Sequence, residues 1–187
     1  MNEKAVSAKF VEQFGERFDL YPERYLRHPY SGDPLRIDYI GFDREGELLG
    51  PIGFEVKDPL RWTGENSFTA FTAAVKQCID YSEMLIHSQF PDEQYKKWHG
   101  QRMKFIFLYS VDKSWGYDLR QDDNVRSNRA AGVLRLAGKS GVGVACFDDY
   151  ANDWLLTIAG YKAFSVKHGM GSLMFKHNVA NRKGSAV

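Results

Sequence analysis

The chain has 187 residues, with 25 Lys and Arg against 24 Asp and Glu, 43% hydrophobic and 14% aromatic content, and a formal net charge of +1. That length fits one domain with a real core, and the balance excludes wholesale disorder and a strongly polycationic binder. No stretch approaches the about 20 apolar residues of a membrane span, the start lacks a leader's apolar core, and Cys78 and Cys146 are too few for a disulfide framework, so a cytoplasmic protein is expected.

Residues 4–19 read as a helix, because Phe10, Phe14 and Phe18 recur at i+4 with Val11 beside them. Pro22, Pro29, Gly32 and Pro34 then predict a loop. Residues 35–42 read as a strand, Asp43-Arg44-Glu45-Gly46 as a turn, and 47–57 as the returning strand. Gly50, Pro51 and Gly53 interrupt that return and predict a bulge or an exposed edge.

A long helix is expected from a cap at Asn66 or Ser67 to about His87. Phe68, Phe71, Val75, Cys78, Ile79 and Ile86 make one apolar stripe, and Lys76, Asp80, Glu83 and His87 a charged one. The remaining arc, with Ala70, Ala74, Gln77, Tyr81 and Met84, carries no charge, so the helix should be covered on two sides. Residues 103–111 read as a buried strand, 122–139 as a helix, and 142–147, 154–158 and 161–167 as further strands. Helices between strands imply an α/β fold around a central mixed sheet, in one domain.

The hairpin carries the sharpest chemical signal. Asp38 lies in its first strand and Glu55-Val56-Lys57 near the end of its second. Side chains alternate along a strand, so Glu55 and Lys57 share a face, and antiparallel pairing brings Asp38 opposite them. Two carboxylates on one patch suit a hard divalent cation such as Mg²⁺. A neighbouring lysine can stabilise charge developing on a phosphate. The plain alternative is a surface hairpin with an ordinary ion pair, which contributes little where exposed.

Asp38…Glu55-Val56-Lys57, with a helix before and after, resembles the PD-(D/E)xK nuclease superfamily, and Gln77-x-x-x-Tyr81 is similar to the Gln-x-x-x-Tyr motif of its RecB-like and type I restriction branches. The resemblance covers roughly residues 10–111 and implies a restriction-endonuclease-like core with a C-terminal extension of the same sheet. It implies Asp38 and Glu55 as ligands of Mg²⁺ or Mn²⁺, Lys57 as the catalytic lysine assisting the attacking water, and Gln77 and Tyr81 as supporting groups. A first-helix glutamate joins the metal in this superfamily, and Glu12 is preferred over Glu16. Ile37 stands where many members have proline, and nothing beyond about residue 112 matches a pattern.

The expected activity is hydrolysis of DNA phosphodiesters, endonucleolytic rather than exonucleolytic. The alternative is a non-catalytic DNA-binding or protein-inhibitory module on the same fold. A homodimer, or a protein partner in a phage or defence setting, is compatible with either. The charge is segregated: residues 1–60 carry 8 basic and 12 acidic side chains, while 154–187 carry five basic and no acidic ones. Lys162, Lys167 and Lys176 from that basic rear, with Arg61 beside Trp62 after the motif, are the candidate nucleic-acid contacts. A solvated basic tail is the bland reading of the same residues. The histidines His28, His87, His99, His168 and His177 show no metal-ligand spacing, and both cysteines read as packed small hydrophobes.

Overall fold

The computed structural model describes residues 3–57, 67–110, 136–148, 152–158 and 162–169. Helix α1 spans Glu3–Phe14, with Val6, Phe10 and Phe14 fully buried along one face and Val11 exposed. The helix ends earlier than the phenylalanine spacing suggests, and Gly15 donates its N–H back to the Val11 carbonyl at 2.8 Å. Phe18 opens strand β1 (Phe18–Arg27) instead, and enters the same apolar cluster from the sheet.

That strand replaces the loop expected around Pro22. β1 pairs antiparallel with β2 (Pro34–Asp43) along its length, but with β4 (Leu85–Ile86) only at Leu26 and Arg27. At Pro22 the far side of β1 has no strand partner among the described residues, so the missing N–H interrupts no ladder. The tight turn falls later, where Gly32 has a φ of 76°.

Strand β3 is Ile52–Lys57, shorter than 47–57, since Gly50 and Pro51 precede it. Helix α2 is Ser67–Glu83, ending before the two-residue β4, and a 3₁₀ turn follows at Glu93–Trp98. β5 (Phe105–Ser110), β6 (Gly143–Asp148), β7 (Asp153–Ile158) and β8 (Lys162–Ser165) complete the sheet. Of the helix expected over 122–139, residues 136–139 are helical and the rest lies outside the described residues.

The chain is thus α/β, with a mixed eight-stranded sheet in the order β4-β1-β2-β3-β5-β6-β7-β8. β3-β5 and β5-β6 are parallel, and the other neighbours are antiparallel. Two apolar clusters cover its faces. One gathers Phe10, Phe14, Phe18, Phe54, Tyr109 and Trp154 beneath α1. The other gathers Val75, Cys78, Tyr81, Ile40 and Leu108 beneath α2, and continues through Phe42 and Phe90. The central strands are covered on both faces, so they read as nearly continuous apolar runs.

Strict alternation fails in β2. Ile37 and Ile40 lie in the α2-side cluster while Tyr39 lies in the other, so the phase slips between them. The slip is shared by β1: Glu23, between the paired residues Pro22 and Arg24, has a φ of 50° and faces the Asp38 position. Gly53 sits beside it in β3, where a Cβ would come within 2.7 Å of Ile37 Cδ1 and 2.6 Å of Met103 Sδ.

Arg17 ties the frame together. Its side chain is 4% exposed, pairs with Asp43 at 2.7 Å and with Glu45 and Glu47, and lies over the Phe164 ring at 4.9 Å. It thereby joins the turn after α1, the β2–β3 turn and β8. Removing one partner of a buried ion pair strands the other, at about 3–5 kcal/mol. Arg17→Met is therefore expected to lower unfolding stability by that order in urea denaturation, and a loss below about 1 kcal/mol would contradict the anchoring role.

Candidate functional site

The site forms where the β2–β3 ladder stops. Regular pairing runs from Gly41↔Ile52 to Tyr39↔Phe54. The next N–H of β3 on that side, Val56, donates to Asp38 Oδ2 at 2.8 Å rather than to a β2 carbonyl. Asp38 thus serves as a ladder partner, because the slip at this position turns its carboxylate toward the neighbouring strand. Regular antiparallel pairing predicts Asp38 opposite the Glu55–Lys57 pair. The structure brings them together through a broken ladder.

Glu55 is 1% exposed, and it faces the α2 layer with Lys57. Its Oε1 is ion-paired with the Lys57 ammonium, whereas Oε2 is buried with no well-formed hydrogen bond among the described residues, the Tyr81 hydroxyl lying close enough to favour the carboxylate. The Lys57 side chain is 27% exposed, so it links the buried carboxylate to the solvent side. Its Nζ also donates to Gln77 Oε1 at 3.3 Å.

Gln77 and Tyr81 stand one turn apart on α2, as i,i+4 neighbours. Gln77 Nε2 donates to the Tyr81 oxygen, and the Tyr81 hydroxyl donates to the Arg36 carbonyl at 2.8 Å. Every donor in this chain meets an acceptor in one direction, from Lys57 through Gln77 and Tyr81 to β2. The chain fixes the amide orientation of Gln77 and, through it, the position of the ammonium. The sequence pattern singled out Gln77 and Tyr81 but missed the Val56 N–H and the Arg36 carbonyl. Backbone groups leave no residue-type signal.

Burial raises the Glu55 carboxyl to about 7, and the nearby Asp38 charge adds to the rise, while Lys57 and, more weakly, the Tyr81 hydroxyl oppose it. Burial also pushes up the Tyr81 phenol and the Cys78 thiol, and the Glu55 charge adds to both. Cys78 is fully buried, a packed small side chain beneath the carboxylates.

The oxygen donors fit a hard cation. The Glu55 Oε2, without a well-formed hydrogen bond among the described residues, is an atom that a cation would satisfy, and Asp38 supplies a second carboxylate. Among the described residues, no group of three or more His, Cys, Asp or Glu side chains could hold a metal ion. A two-carboxylate set suits Mg²⁺, which keeps several waters, better than zinc, which needs three or four protein ligands.

The other expected residues are placed elsewhere. Glu12 is exposed on α1, on the opposite layer, where its charge adds to the burial that raises the Tyr109 phenol. Glu12 is not among the groups that shift Glu55. Lys167 follows β8, four strands from β3, and its ammonium donates to the Asn152 carbonyl at 2.6 Å. Lys162 opens β8 and is described in its backbone alone, and Arg61, Trp62 and Lys176 lie outside the described residues.

In comparisons with known proteins, no family model matches the chain, and neither a curated protein nor a solved structure does.

The Glu55 shift has a testable consequence for folding. Its carboxyl titrates at 4.5 when unperturbed and about 7 when folded, so between those values the fold holds a proton that the unfolded chain has released. Its stabilising contribution is fully present below pH 4.5 and is lost as pH rises through about 7. By pH 8 the loss is on the order of 3 kcal/mol. Glu55→Gln, which stays neutral, is expected to gain on the wild type in urea unfolding between pH 5 and pH 8. A stability difference independent of pH would refute a buried, shifted carboxyl.

Proposed function

We propose that the protein is a Mg²⁺-dependent nuclease that hydrolyses DNA phosphodiesters, built on a restriction-endonuclease-like core. The observation that carries the reading is the buried Glu55 Oε2, which has no well-formed hydrogen bond among the described residues, beside Asp38 and Lys57. A buried carboxylate oxygen without a partner costs about 1–3 kcal/mol or more, and a bound cation removes that cost. The element order supports the core as well: a helix, an antiparallel pair bearing both carboxylates, a helix, and a strand parallel to β3.

When bound, Mg²⁺ supplies Lewis-acid stabilisation of phosphoryl charge and lowers the pKa of water. Asp38 and Glu55 are the residues that would hold it. Glu55 gives up its proton on binding, since only the carboxylate is a ligand. Lys57 has three N–H donors. One goes to Glu55 and one to Gln77, which leaves a third to orient the attacking water or to meet a phosphate oxygen. Tyr81 and Gln77 act through Lys57 as positioning residues.

The reading is tested by nicking of supercoiled plasmid with Mg²⁺. Asp38→Ala and Lys57→Ala are each expected to lose at least a hundredfold in rate, and EDTA to abolish cleavage. Equal rates in all three proteins would sink the assignment. Calorimetry separates the alternative of a non-catalytic binding module: that module would hold DNA or protein while taking up neither Mg²⁺ nor Mn²⁺.

A further inference from the structure

A second feature lies on the same end of the sheet, away from the carboxylates. A cleft of about 310 Å³ opens between the β1–β2 connection, β4 and the turn at Gly100. Arg27, His28, Tyr30, His87 and His99 line it, and none of the described lining residues is acidic. The Tyr30 ring is 89% exposed and lies 5.8 Å from the His28 ring, tilted to it. His87 and His99 form a second ring pair, 5.8 Å between centroids.

The polar groups have a defined direction. His28 Nδ1 accepts the backbone N–H groups of Tyr30 and Ser31, so in the neutral ring the proton sits on Nε2. Those two bonds also fix the loop that carries Tyr30. Arg27, which pairs with Pro34 and Leu85 at the strand ends, brings a fixed positive charge to the same rim.

We propose that this cleft holds one nucleotide of an unpaired nucleic-acid strand, with the base stacked on Tyr30 and the phosphate met by Arg27 and the histidine donors. An exposed aromatic ring beside a guanidinium and imidazoles is the pairing that single-strand binding uses, a stacking surface together with a cationic track. The volume is at the small end of ligand sites, in keeping with one base and its phosphate. A paired base in a duplex has its faces covered and cannot take this position.

The location links the cleft to the candidate centre. Lys57 ends β3 and Arg27 ends β1, two strands away at the same end of the sheet, with Leu85 of β4 beside Arg27. Two to three strand spacings set the cleft on the order of 10–15 Å from Lys57, a span of a few nucleotides. Tyr25, 52% exposed, stands between them. As a substrate preference the inference rests on the nuclease reading; as a binding site it does not.

The test is fluorescence anisotropy in EDTA with three probes: a labelled twelve-nucleotide oligo-dT, the matching oligo-rU, and a twelve-base-pair duplex. The wild type is expected to bind at least one single strand about tenfold tighter than the duplex, and the better of the two names the sugar. Tyr30→Ala is expected to weaken that binding about tenfold and Arg27→Ala by a similar factor, with Tyr30→Phe retaining it. Thermal unfolding checks that the exposed substitutions leave the fold intact. Equal affinity for strand and duplex, unchanged binding by Tyr30→Ala, or no binding by the wild type overturns the proposal. Plasmid nicking distinguishes the two readings. Strand binding without nicking removes the nuclease and keeps the cleft, and nicking with unaltered binding by Tyr30→Ala does the reverse.

Discussion

The hydrogen bond from the Val56 N–H to the Asp38 carboxylate is the constraint on which the candidate site depends. A central strand cannot leave a buried N–H unmet. Where β2 slips out of phase at Asp38, its backbone no longer supplies the acceptor, and the side chain takes over. The slip itself requires β1 to follow, which it does through the left-handed backbone of Glu23. One local irregularity, shared by two strands, thus ends a ladder and sets a carboxylate against β3. The Glu55 side chain is one residue away, on the α2 face.

The placement has an electrostatic cost that the surroundings only partly offset. Glu55 pairs in register with Leu108 and lies over the Cys78 layer, so little of its hydration survives. One ion pair with Lys57 satisfies one oxygen. Ordinary structural carboxylates are arranged otherwise: Asp43, also buried, accepts from Arg17 and from the Glu45 and Leu48 N–H groups. The contrast lies within one chain. The fold can satisfy a buried carboxylate completely, and at Glu55 it does not, while building a three-residue hydrogen-bond chain to hold the adjacent lysine. Perturbed titration with incomplete pairing is what the proposed reading assigns to a bound cation.

How much of this the sequence disclosed depends on which atoms carry the information. Strand β5, helix α2 and the strands after residue 142 follow from apolar runs and periodicity, because packing on both faces selects them directly. Gln77 and Tyr81 were legible because they are the polar groups on an otherwise uncharged helix arc that carries Ala70, Ala74 and Met84. Strand β1 was not, because Pro22 reads as a breaker until the topology shows that its N–H side has no strand partner there. Phe18 misled for a related reason: its spacing continues the helix, while its burial comes from the sheet. The slip at Asp38 left no trace at all. Glu23 is a residue type that rarely takes a positive φ, and nothing in its neighbourhood announces it. The cleft left no mark in the sequence, because the spacing of His28, His87 and His99 along the chain says nothing about three segments meeting at one sheet edge.

Charge decides how two such places divide the work in the proposed reading. Asp38, Glu55 and Lys57 together sum to −1 when both carboxyls are ionised, so the centre repels a phosphodiester until a cation is present. Lys57 cannot reverse this alone, because its charge is already engaged by Glu55. Affinity for the strand must therefore come from groups outside the centre. Of the basic side chains placed by the structure, Lys167 is turned to a backbone carbonyl at the far edge, whereas Arg27 lines a cleft with no acidic side chain among the described residues at the near one. A near-zero net charge then ceases to argue against a nucleic-acid partner. In the proposed reading the two carboxylates of the centre await a cation, and the described lining of the cleft that would hold the strand carries none.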